Sequence, residues 1–230
     1  MYFLVDTTHK IIFGWTAKCG CSHVKTIFNF FENNNTNEIH ISRDYLDILP
    51  HDIENYKTVI FIRNPYKRIV SGLLDKYKKT TQYRNIWNKK YETITFSQFV
   101  NEIITYKFNL IDRHHFEPQT DARYSLHIFK SNTIKFFDIE HIDYTYLEQI
   151  YDKKIPDDIL IKKFGHERNS TINMNKIINY DVYDLNIDEI MDCNIDIKYF
   201  YNEDIKNKIY KIYENDFILF KQQGFDYTLH

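Results

Sequence analysis

The chain has 230 residues, 43% of them hydrophobic and 17% aromatic, and a formal net charge of −2. Nineteen Tyr and 18 Phe supply ample apolar area for a core, which excludes disorder of the whole chain. The balance of 30 Lys and Arg against 32 Asp and Glu excludes a generally basic nucleic-acid or membrane-surface binder, while leaving room for a local cationic pocket.

Met1 to Lys10 has no basic segment followed by an apolar one, so no signal peptide is expected. Ile11 to Trp15 is a short apolar run that reads as a buried strand. The turn Thr16-Ala17-Lys18-Cys19-Gly20-Cys21-Ser22 follows it. Val24, Ile27, Phe28 and Phe31 then recur at helical spacing. Glu38 to Ile41 is a candidate second strand. Thr58 to Ile62 is the clearest strand, β-branched and bounded by polar residues. It runs into Arg63-Asn64-Pro65, and Pro65 suits the first turn of a helix striped by Ile69, Val70, Leu73, Leu74 and Tyr77.

Phe96 to Phe108 reads as a helix with Ser97 as its cap. Residues 109–123 and 164–175 read as loops. Thr133 to Phe137 reads as a strand, Tyr144 to Tyr151 as a short helix, and Asp204 to Gln223 as one long helix. No Gly, Ser or Pro-rich linker divides the chain, so residues 1–230 are expected to form a single domain. Strands alternating with helices predict an α/β fold with a mostly parallel sheet flanked by helices. Ligands of such sheets sit beyond the carboxyl ends of the strands, where residues 16–22 and 63–65 lie.

The strand–turn–helix around Lys18 has the makings of an anion site. A helix N-terminus offers backbone N–H groups and a positive dipole end. Gly20 allows close backbone approach, Ser22 brings a hydroxyl and Lys18 a full charge. The loop lacks the Gly-Lys-Ser/Thr ending of a Walker A motif, which disfavours a magnesium-dependent kinase. Cys19, Cys21 and His23 fall short of a four-ligand zinc site, and no metal is expected. Arg63 at a strand end and Ser71 on the next helix can together clamp a phosphate.

These segments resemble the sulfotransferase family. Lys18-Cys19-Gly20-Cys21-Ser22 is similar to its 5′-phosphosulfate loop, with Cys21 where the family usually has Ser or Thr. Arg63-Asn64-Pro65 through Arg68 and Ser71 is similar to its 3′-phosphate motif. His115-Phe116-Glu117-Pro118-Gln119 resembles the His-Trp-X-Pro-Gln element of the carbohydrate sulfotransferase branch. Tyr213 with Asp216-Phe217 resembles that branch's C-terminal pattern, and Phe137 to Ile142, with Glu140, the segment after a later strand.

The resemblance implies a P-loop-like sulfotransferase fold. It also implies transfer of a sulfuryl group from 3′-phosphoadenosine 5′-phosphosulfate, without a metal, to a hydroxyl acceptor, with a carbohydrate expected and a protein tyrosine as the alternative. Lys18 would neutralise charge on the leaving oxygens. Cys19, Gly20, Cys21, Ser22 and His23 would surround the 5′-phosphate, Arg63 and Ser71 would hold the 3′-phosphate, and Arg168 would cap the nucleotide. His40 stands first as general base, with Glu38 and Asp44 as alternatives, and His115 is a further catalytic candidate. A small-molecule kinase and an inactive nucleotide-binding relative remain as competing readings. No nucleic-acid partner or membrane span is expected. The odd count of three Cys suggests reduced thiols and a cytoplasmic setting, and the excess of Asn, Ile, Lys and Tyr a virus or another AT-rich genome.

Overall fold

A computed structural model describes residues 1–33, 49–77, 94–108, 113–120, 130–131, 133–160, 181–190, 193 and 195–229. In chain order the strands are β1 (Tyr2–Asp6), β2 (Ile11–Trp15), β3 (Lys57–Ile62) and β4 (Thr133–Asp138). The helices are α1 (Cys21–Phe31), α2 (Pro65–Lys76), α3 (Phe96–Tyr106), α4 (Arg113–Phe116), α5 (Thr145–Tyr151), α6 (Asp157–Leu160), α7 (Ile187–Ile190), α8 (Glu203–Ile212) and α9 (Glu214–Gln222). Two compact units emerge, residues 1–63 with 119–166 and residues 64–118 with 167–230.

The first unit holds a four-stranded sheet in the order β1-β2-β3-β4. β1 runs antiparallel to β2, while β2, β3 and β4 are mutually parallel. This is the expected α/β architecture, a mostly parallel sheet with helices. The short strand β1 is an addition to the sequence reading; its Tyr-Phe-Leu-Val-Asp pairs with all of β2 through a tight hairpin. Apolar spacing places Val24, Ile27, Phe28 and Phe31 of α1 in the core, as expected. Phe13 of β2 meets Phe28 edge-on, with ring centroids 5.2 Å apart, and stacks on Phe61 of β3 at 5.8 Å. Candidate strand 38–41 lies outside the described residues.

Asp6 closes the β1–β2 hairpin. Its carboxylate accepts from the backbone N–H groups of Thr8 and His9 at 2.8 and 3.0 Å. It also pairs with His9 Nδ1 at 2.8 Å. Burial works against its ionisation, but the bonds and charge attraction of His9, together with the Tyr151 hydroxyl, outweigh that and hold the carboxyl below its ordinary value. The His9 ring leans on Tyr151, 4.5 Å between centroids, and Tyr151 stacks on Phe31 at 4.1 Å.

The second unit is helical. Ile69, Val70, Leu73, Leu74 and Tyr77 are buried, as their spacing predicts. Asn64 caps α2 by accepting from Tyr66 N–H, and Pro65 occupies the first turn. The cap of α3 is Thr95 rather than Ser97. Thr95 and Gln98 form a reciprocal capping box, which satisfies two backbone donors and so sets the start of the helix. Residues 113–116, read as loop, form the short turn α4. The expected long helix over 204–223 is divided at Tyr213 into α8 and α9. Tyr213 is buried there, and its hydroxyl donates to Phe116 O at 2.6 Å. Among the described residues no helix is long and apolar enough to cross a membrane.

Gly72 lets α2 and the α4 turn approach closely. A Cβ at this position would lie 2.7 Å from Cε1 of Phe116, a fully buried ring. Gly72→Ala is therefore expected to destabilise the protein by about 1–3 kcal/mol through overpacking, measured by urea unfolding. At the hairpin the depressed carboxyl value fixes the sign of the acid dependence. The Asp6 contribution is present above the ordinary value of 3.8 and is lost as pH falls through the lower folded value. Asp6→Asn should cost about 1 kcal/mol at pH 7. Its unfolding midpoint should converge with that of wild type below about pH 4; equal separation at pH 7 and pH 3 would contradict this origin.

Candidate functional site

Parallel pairing brings two loops of the first unit to one edge of the sheet. Trp15 is in register with Phe61, so β2 and β3 end within a residue of each other. The Lys18 turn leaves the end of β2 and Arg63 leaves the end of β3. The turn is closed by Cys19 N–H donating to Thr16 O at 3.2 Å. Lys18 and Gly20 both have left-handed backbones, with φ of 67° and 66°. Gly20 is the N-cap of α1, and no side chain caps that end. Cys21 opens the helix and is half-buried, and Ser22 is buried in its first turn. A left-handed turn that leads into a helix N-terminus is the kind of backbone arrangement that can accept an anion.

Arg63 is tied to this turn. Its guanidinium Nη1 donates to Lys18 O at 3.3 Å. Its Nε lies 3.5 Å from Glu140 Oε1, close enough for charge attraction, but among the described residues it engages no acceptor in hydrogen-bond geometry. Glu140 is carried by the turn after β4, which Asp138 shapes by accepting from Glu140 N–H at 3.0 Å. Because β4 is parallel to β3, this turn also lies at the carboxyl edge. Arg63 and Glu140 are 23% and 26% exposed, so the pair is partly screened and is weak on its own.

Cys19 is fully buried, its sulfur 3.1 Å from Thr16 Oγ1. It donates to Gln119 Oε1 at 2.9 Å. The same Gln119 oxygen accepts from Arg63 N–H at 2.9 Å, and Gln119 Nε2 donates to Arg63 O at 2.8 Å. Gln119 is 1% exposed. His23 hydrogen-bonds the Tyr144 hydroxyl through Nε2. Burial lowers the tendency of His23 to protonate and pushes the Tyr144 phenol up to about 12. His23 therefore adds no charge to the cradle at neutral pH.

The structure thus brings together Lys18, Cys19, Gly20, Cys21, Ser22, His23 and Arg63. Ser71 lies on α2 and His115 on α4, both in the second unit and both half-buried. There the motif segment is gripped through its carbonyls. Arg68 Nη1 donates to Glu117 O at 2.7 Å, and Tyr213 holds Phe116 O. Arg68 is buried and is thus anchored to the backbone. His40, Glu38, Asp44 and Arg168 lie outside the described residues. Gln119 and Tyr144 carry contacts that the sequence did not assign. The signal for Gln119 was its place directly after Pro118 in the His115–Gln119 element; Tyr144 offered none.

Two curated relatives share part of this chain. Carbohydrate sulfotransferase 11 of Rattus norvegicus and that of Mus musculus are each 23% identical over 108 residues, covering 40% of this chain. The match spans 30% of the length of those relatives. No solved structure matches the chain. The sulfotransferase family is matched from residue 1 to residue 223, across both units and every motif described above, and the chain belongs to that family.

Proposed function

We propose that the protein is a sulfotransferase that moves a sulfuryl group from 3′-phosphoadenosine 5′-phosphosulfate to a carbohydrate hydroxyl. The observation that carries this reading is the bond from Arg63 to the Lys18 carbonyl, which fixes two cationic loops at one sheet edge. The residues present fit the donor. An uncapped helix N-terminus preceded by a left-handed glycine suits its 5′-phosphate. The buried Nε–H of Arg63, with no aligned acceptor, suits a phosphate oxygen. The family match across both units supports reading them as one sulfotransferase domain.

When bound, the donor supplies the sulfuryl group and a leaving phosphate. Lys18 neutralises charge that develops as the S–O bond breaks. Gly20, Cys21 and Ser22 hold the 5′-phosphate through the helix N-terminus, with Cys19 and His23 packing the cradle. Arg63 binds the 3′-phosphate, which separates this donor from ATP. Ser71 keeps its assignment to that phosphate, and Arg168 its assignment to the nucleotide, from the motif alone. A histidine removes the proton of the acceptor hydroxyl, His40 first and His115 second. The carbohydrate acceptor is supported by the likeness to relatives whose names specify carbohydrate sulfotransfer. The kinase reading is weakened by the order of Lys18 and Gly20.

Calorimetric titration with 3′,5′-adenosine bisphosphate, without metal, should give binding that ATP does not match. Arg63→Ala should weaken it by at least about tenfold, as expected for charged hydrogen bonds worth about 1.5–3 kcal/mol. Preference for ATP with magnesium would replace this reading with a kinase. Transfer of labelled sulfate to a panel of glycans, with a tyrosyl peptide as control, tests the acceptor. His40→Ala and His115→Ala should separate the base: loss of about 10²–10⁴ in kcat with donor affinity retained identifies it. Donor binding with no turnover on any acceptor would favour an inactive relative.

A further inference from the structure

We infer that Gln119 is a positioning residue that ties the Lys18 turn and Arg63 into one donor-binding unit. This rests on the donor reading above and deepens it. β3 ends at Ile62, so the N–H and C=O of Arg63 lie just past the strand. Both are taken by the single amide of Gln119, at 2.9 and 2.8 Å. The side chain does for Arg63 what a peptide unit of a neighbouring strand does for a residue within a sheet. Its oxygen has a second lone pair, and Cys19 of the phosphate turn donates to it at 2.9 Å. One planar group thus spans the main chain that carries Arg63 and the thiol at the heart of the 16–22 turn.

The chemistry demands a primary amide. The acceptor must take two donors, and a donor on the same group must reach the Arg63 carbonyl. Among uncharged planar side chains that need no added proton, Gln and Asn combine these, and Asn is one methylene shorter. Gln119 is 1% exposed, so its amide is shielded from water, and losing it takes from the Arg63 N–H and C=O the partners they have here. The guanidinium link from Arg63 to Lys18 O crosses the same two loops, but it is longer and half-exposed. Gln119 is the buried half of the tether.

Two variants test this, each compared with wild type at the same pH. Gln119→Leu removes every bond. In ligand-free protein the Arg63 amide should exchange hydrogen about tenfold faster and Cys19 should become open to alkylation, while β1 and α9 exchange as before. Affinity for 3′,5′-adenosine bisphosphate should fall about tenfold. Gln119→Glu places a carboxylate oxygen against the Arg63 carbonyl. Protonation restores an O–H donor beside a C=O acceptor, the polarity of the amide, and burial favours that form. Its affinity relative to wild type should therefore recover from pH 8 to pH 6, or match wild type at both.

Unchanged exchange at Arg63 in Gln119→Leu overturns the inference. So does an affinity in folded Gln119→Glu that is reduced equally at both pH values. Should Gln119→Leu fail to fold, the pH comparison of Gln119→Glu decides. Absence of nucleotide binding by wild type would refute the donor reading, and the ligand-free exchange and alkylation would still judge the tether.

Discussion

The parallel pairing of β2 with β3 is the constraint on which the candidate site depends. Parallel neighbours must be joined by a crossover, and here the connection carries α1. Both strands then end at the same edge, and the chain that follows each is delivered to the same place. Lys18 and Arg63 are 45 residues apart in sequence, yet a guanidinium of one reaches a carbonyl of the other. An antiparallel pair would send Arg63 to the opposite edge. β4 joins with the same polarity, so the turn holding Glu140 arrives at that edge as well.

Charge at this edge is arranged with few groups. Lys18 and Arg63 bring a cationic side chain from each of the two loops. His23 could have been a third, but burial disfavours its charged form and leaves it neutral near pH 7. Glu140 offsets part of the Arg63 charge from 3.5 Å, across a partly solvated gap. A dianionic phosphate bears more charge than this carboxylate and can align with the Arg63 Nε–H that Glu140 leaves unaligned. The fixed backbone dipoles of the turn and of α1 add to the two side chains at no cost in reorganisation.

Where periodicity and local motifs act over short distances, the sequence was readable. β2, β3, α1 and α2 appear where their apolar spacing placed them, and the Lys18 turn and Arg63 sit at strand ends as the α/β pattern requires. β1 was not read because Tyr2 and Asp6 interrupt its apolar run, and its identity comes from pairing with β2. The Thr95–Gln98 capping box was present in the letters, but the nearer hydroxyl of Ser97 competed with it. The division at Tyr213 has no local signal, since the apolar stripe continues through it while the Tyr213 hydroxyl answers to Phe116, 97 residues away. Gln119 was visible as a motif letter but not as a function, because its partners lie 56 and 100 residues distant.

The departure of this chain from the family pattern, Cys21 in place of a hydroxyl residue, bears on activity less than it first suggests. A thiol is a poor donor, so a side-chain contact to phosphate from Cys21 would be weak. On the proposed reading, however, the cradle is built from main chain: the left-handed Gly20 precedes the first turn of α1, and the amide of Cys21 would serve whatever its side chain. Of the two thiols in this turn, Cys19 is the one buried, between Thr16 and Gln119. Its task is internal to the protein and suits a small, weakly polar group that must be buried. A hydroxyl lost at Cys21 removes one contact to the ligand, whereas the geometry that sums the backbone dipoles is intact. An inactive relative therefore gains little support from Cys21, and on the proposed reading the transfer chemistry turns on Lys18, Arg63 and the identity of the base.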